Sequence, residues 1–190
     1  MVIDEPHGPP KASVVAGALI NPVNVNRCTM VADHQHYIAA ALETYRSMEE
    51  TLGISLLEAM QMFVFHKDET KRQLYNEKQL QLPAYIQQLT NAEITLTQQF
   101  FRNKYGIAKV GPVWKIHATQ LLSAWSSFLK NKGLLLQEQF NIAECGIRPE
   151  SVQYKTISAG KIIFCEGAAG MHNSFFKNLP FTKNRGEALL

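Results

Sequence analysis

The chain is short of the features that would give it an identity by inspection. It has three cysteines, Cys28, Cys145 and Cys165, far apart and with no CxxC pair. An odd number at that spacing excludes a disulfide framework and leaves reduced thiols as the expectation. No run approaches the ~20 apolar residues that a membrane-spanning helix needs. Asp4 and Glu5 precede the first prolines, where a secretory signal would be basic. A cytoplasmic protein is expected, although export by a machinery that reads no cleaved signal fits the same residues. Charge is sparse at 18 %, and the net charge of +3 does not demand a polyanionic partner.

Apolar residues are plentiful, at 46 % of 190 positions, which argues for a folded core and for apolar surface left over. The first 31 residues carry Gly8, Pro9, Pro10, Gly17 and Pro22 and read as an extended N-terminal arm (1–31). Its middle, Ala12 to Ile20 (ASVVAGALI), has almost no charge, so it is expected to lie against something. Val14, Val15, Leu19 and Ile20 are the candidate partner-binding residues.

The body, 32–166, reads as helical. Asp33 stands as N-cap of a first helix with Ile38, Leu42, Tyr45, Met48 and Leu52 on one face and Gly53 as its stop. Ser55-Leu-Leu-Glu58 has the form of a capping box, and Leu56 to Phe65 is apolar on nearly every side, predicting the most buried helix of the domain. His66 to Gln81 reads as a solvated helix and its connection. Thr90-Asn-Ala-Glu93 is a second capping box, opening a helix that runs to Tyr105 and ends at Gly106. Gly111 to Gly133 (GPVWKIHATQLLSAWSSFLKNKG) reads as the core helix, with Gly111 as N-cap, Pro112 in the first turn, and Trp114 and Trp125 on one face. Leu134 to Glu144 gives a shorter amphipathic piece. Val152 to Ile157 and Ile162 to Cys165, flanking Ser-Ala-Gly-Lys, read as a β-hairpin. Residues 167–190 form a C-terminal arm, mildly basic through Lys177, Lys183 and Arg185. The fold class expected is therefore mainly α: one domain of five or six helices with a C-terminal hairpin and two arms.

Signatures of chemistry are few. Cys165 and His172 are the minimum pair for a thiol nucleophile, and Cys145 with His117 is a second pairing on no better grounds. His34 and His36, two apart, point to different faces of a helix, and no further ligands complete a metal site. Neither a metal nor a cofactor is expected. Gly167 and Gly170 lack the GxxxxGK[ST] frame of a P-loop.

Phe100-Phe-Arg-Asn-Lys-Tyr-Gly-Ile-Ala108 followed by Val113-Trp-Lys-Ile-His117 resembles the helix-turn-helix family, with Arg102 and Pro112 departing from its pattern. That resemblance implies DNA binding through Lys109, Lys115 and His117.

Taken together, the sequence points to a non-enzymatic binding or assembly protein that acts through helical surfaces and apolar arms, with a protein partner or a second copy of itself. A nucleic-acid binder, either a helix-turn-helix regulator or a nucleoprotein-like subunit, and a cysteine-dependent enzyme are the alternatives.

Overall fold

A computed structural model of the chain describes residues 1–5 and 12–182. Gly8, Pro9 and Pro10 of the N-terminal arm and Lys183 and Arg185 of the C-terminal one lie outside these. The described residues form eleven strands, in four sheets, and four α-helices. In order these are β1 (Val2–Ile3), β2 (Leu19–Ile20), β3 (Val23–Asn24), β4 (Thr29–Met30), α1 (His34–Leu52), β5 (Leu57–Phe65), α2 (Glu69–Gln81), β6 (Ile86–Gln88), α3 (Asn91–Phe100), β7 (Ile107–Ile116), α4 (Ala118–Asn131), β8 (Leu135–Leu136), β9 (Cys145–Arg148), β10 (Ser151–Tyr154) and β11 (Ile157–Ala159). Two compact units result, one of residues 10–128 and one of residues 1–9 with 129–190. The architecture is mixed α/β, which corrects the mainly α, single-helical-domain expectation.

The unit of residues 10–128 is built on β7. On one edge β7 pairs antiparallel with β5 over its whole length; on the other it pairs with β6 at Ala108–Val110 and with β2 at Trp114–Lys115. Between Met60/Val113 and Met62/Val110 two residues, Gly111 and Pro112, face the single Gln61, which is a β-bulge. The extra residue keeps Val110 and Val113 on one face despite their odd spacing. That face carries Met62, Val64, Ile86, Ala108 and Val110, and it meets Val23 and Cys28 beside the β3–β4 hairpin and Tyr75 of α2 in one apolar cluster. The Tyr75 hydroxyl donates to the Val25 carbonyl at 3.0 Å, so the largest core side chain buries no unpaired polar atom.

Several local signals are realised. α1 spans His34–Leu52 and stops at Gly53, whose φ of 65° is left-handed. Asp33 precedes it but makes no side-chain cap bond. Asp68 caps α2 by accepting from the Lys71 N–H, and the Thr90/Glu93 capping box of α3 is formed in both directions. α3 ends at Phe100, so the predicted extension to Tyr105 is absent.

The two helices placed at the centre are instead the two long strands. Leu57–Phe65 is β5, and the Gly111-Pro112 pair lies inside β7, so Trp114 is a strand residue while Trp125 lies on α4. The Ser55/Glu58 capping box does not form, because the Glu49 carboxylate on α1 accepts from the Leu56 N–H at 2.6 Å and the Leu57 N–H at 3.0 Å. Those two bonds bring the chain out of α1 extended rather than helical.

In the other unit, β9, β10 and β11 form an antiparallel meander, and β1 pairs parallel with β8. The predicted hairpin is thus shifted: its turn lies at Lys155-Thr156, its second strand is Ile157–Ala159, and Ile162–Cys165 is not a strand. Leu134 to Glu144 holds the short strand β8 and a turn of 3₁₀ helix rather than an amphipathic helix.

Burial now ranks the residues differently. Ile86 is 1 % exposed, and its truncation to Ala is expected to cost about 2–5 kcal/mol by denaturant titration. Met60 is 38 % exposed, so Met60→Asp is expected to remain folded, with a loss of less than about 1 kcal/mol in the same titration.

Candidate functional site

The unit of residues 129–182 with 1–5 contains a cleft of about 640 Å³ lined by Glu138, Phe140, Asn141, Glu144, Glu166, His172 and Asn173. Phe140, in its lining, belongs to an aromatic cluster: it lies 4.7 Å from the Tyr154 ring and 5.8 Å from Phe164, which in turn meets Phe175 and Phe176. Lys155 occupies the tight β10–β11 turn with φ 51° and reaches Glu138 at 2.8 Å and Glu144 at 3.8 Å. The Tyr154 hydroxyl donates to the same Glu138 oxygen at 2.8 Å. These donors hold the Glu138 carboxyl below its usual range, Lys155 contributing most, and Glu138 raises Lys155 in return.

On the far side Asn173, buried, donates to Glu166 at 2.7 Å and accepts from the Phe175 N–H. Asn141 donates to Glu144 at 2.8 Å. The polar groups of the cleft are therefore largely engaged with one another. Such a network fixes the loops around the meander, and it leaves few directed groups for an incoming ligand.

Cys165 and His172 both belong to this unit, and both are exposed. His172 lines the cleft, and among the described residues no hydrogen bond joins it to Cys165. The geometry thus supplies no thiol–imidazole couple at this pair. Cys145 is half-buried on β9, and His117 follows β7 in the other unit. No group of three or more His, Cys, Asp or Glu residues able to hold a metal occurs among the described residues.

The helix-turn-helix frame is not formed. Val113–Ile116, required as the second helix, is strand, so Lys109 and Lys115 project from a sheet. Lys109 forms a partly buried ion pair with Glu93 of α3 at 3.0 Å. Lys115 lies opposite Glu58 in the β5–β7 register, and His117 lies 3.5 Å from the same carboxylate. Each of the three residues thus has an acidic neighbour, and together they make no free basic stripe.

The candidate partner-binding residues have a clear place. Leu19 and Ile20 form β2 on the edge of β7, Leu19 remaining exposed and Ile20 half-buried. Val14 and Val15 are exposed beside it, and the Thr119 hydroxyl donates to the Val14 carbonyl at 3.3 Å. Residues beyond Ile20 are core: Val23 and Cys28 are buried in the apolar cluster. Sequence reasoning missed the exposure of Phe100, 72 % exposed at the end of α3, and Phe65 packed at 4.9 Å against Phe101 with tilted rings. It also missed the exposed stretch Glu58–Gln61 of β5, which a helical reading had buried.

His66, at the β5–α2 junction, is a buried histidine whose Nδ1 has no hydrogen-bond partner. Its ring packs 4.9 Å from Tyr75. Burial, with Lys71 and Arg72 nearby, lowers its pKa from 6.5 and holds it neutral.

No protein-family model matches this chain, and no solved structure matches it. No helix among the described residues is long and apolar enough to cross a membrane.

Two predictions follow from these environments. With the folded pKa of His66 depressed, the unfolded state binds its proton first, so stability is full above about pH 6.5 and falls as pH drops through and below that value. Melting temperature is expected to decline between pH 7 and pH 5, ahead of the loss through Glu138 below 4.5, and His66→Phe should flatten that limb. A thiol reagent should label exposed Cys165 in the native protein and Cys28, 0 % exposed, only on unfolding, as peptide mapping of the labelled sites would show.

Proposed function

We propose that this chain is a binding or assembly protein whose unit of residues 10–128 docks on another protein through apolar surface. The observation that carries the reading is the distribution of large apolar side chains. Val14, Val15, Leu19, Phe65, Leu96, Phe100 and Phe101 are all exposed within this unit. A phenylalanine can bury 150–250 Å². At roughly 25 cal/mol per Å², covering even a few of these side chains supplies several kcal/mol toward association. Patches of that kind on a small unit mark interaction surfaces.

Charge supports a protein partner over a polyanion. Lys109, Lys115 and His117 each have a carboxylate neighbour, so the three residues that a helix-turn-helix would offer to DNA form no free basic stripe. A complex held by apolar burial should also survive high salt.

A photo-crosslinking amino acid placed at position 15 or 100 tests the reading in cells, with position 77 on exposed α2 surface as the control. Defined protein adducts are expected at the first two positions, retained when the complex is isolated at high salt. Adduct yields no higher than at position 77 would remove the support for an apolar docking surface.

A further inference from the structure

We propose that β5 pairs antiparallel with β5 of a second copy of this chain about a two-fold axis at Gln61, an inference that rests on the assembly reading and names its partner. β5 is hydrogen-bonded to β7 along one edge, and among the described residues no strand occupies its other edge. The Leu57 N–H at its start is taken by Glu49. From Glu58 onward that edge is an unpaired row of backbone donors and acceptors, and what matches such a row is another extended backbone.

Exposure says the same. A strand with one covered face alternates, yet Glu58, Ala59, Met60 and Gln61 are exposed in succession, so the middle of β5 is bare on both faces. The sequence Leu-Glu-Ala-Met-Gln-Met-Phe-Val-Phe also has no proline, lysine or arginine to block an edge.

The strand is complementary to itself. With Gln61 on the axis, Met60 lies opposite Met62 of the other copy, Ala59 opposite Phe63, Glu58 opposite Val64 and Leu57 opposite Phe65. All these pairs join like faces, since they sum to an even number, so each apolar face continues across the axis. The lone charge, Glu58, falls near each end and never meets its own copy. At the centre two Gln61 side chains meet, able to donate to and accept from each other. The contact is isologous and closed, and it joins two four-stranded sheets into one. Nine residues a side make a small interface on the ~1,000 Å² scale of stable ones, so a concentration-dependent dimer is expected.

The test is sedimentation of the full chain, alone and with charges placed on the axis. The wild type should be a dimer in the range of tens of micromolar. Gln61→Lys and Gln61→Glu, both at an exposed position, should each sediment as folded monomers with unchanged circular dichroism, and an equimolar mixture of the two should restore the dimer. A monomeric wild type would overturn the pairing, as would dimers that persist in both variants or a mixture that stays monomeric. Should either variant lose its fold, Gln61→Cys replaces it: oxidation should link two chains through position 61 far more efficiently than Glu77→Cys does, and equal yields would overturn the proposal. A monomeric wild type that still gives adducts from positions 15 and 100 would refute this pairing while leaving the docking surface standing.

Discussion

β7 is hydrogen-bonded on both edges, and the rest of its unit is arranged by that fact. β5 takes one edge, while β6 and β2 share the other, so three segments separated widely in sequence are aligned by a single ten-residue strand. The bulge at Gly111-Pro112 lets this strand serve two regions at once. Without the extra residue, Val113, 1 % exposed, would rotate off the face that holds Ala108 and Val110. Glycine and proline, which interrupt regular strands, are accommodated where the ladder is already irregular.

Carboxylates do much of the remaining positioning. Glu49 turns the exit of α1 into the start of β5, and Glu93 caps α3 while holding Lys109 on the sheet. Glu138 does the equivalent in the other unit, gathering Lys155 and Tyr154 beneath the cleft. Glu49, Glu93 and Glu138 all titrate below the usual carboxylate range, the first through backbone N–H donors and the last mainly through Lys155. Polar side chains spent in this way are unavailable for catalysis or for a polyanion. The exposed large apolar side chains, by contrast, have no such internal role, and the association proposal rests on them.

The edge of β5 and the arm at Val14–Leu19 belong to one unit and present different chemistry. The arm offers mainly the exposed side chains of Val14, Val15 and Leu19, since its strand is only two residues long. The β5 edge offers backbone as well as side chains, and backbone pairing imposes register and direction. A self-paired β5 and a side-chain contact at the arm are therefore separable, one fixing symmetry and the other extending contact area.

Local chemistry was legible in the sequence. Gly53 terminates α1 and the Thr90/Glu93 box opens α3, each through contacts within a few residues. Tertiary structure decided the two long strands. Leu56 to Phe65 is apolar at almost every position, a pattern that helix and strand share over so short a run. What settled it were partners fifty residues away on β7 and the Glu49 carboxylate, which took the two N–H groups that a helical first turn would have left free. Gly111-Pro112 fits a helix start and a bulge equally well, because both positions tolerate a missing backbone donor. Composition likewise announced surplus apolar residues without saying where they would lie. Which of them face the core and which face water is a property of pairing register, and register exists only once distant strands have met.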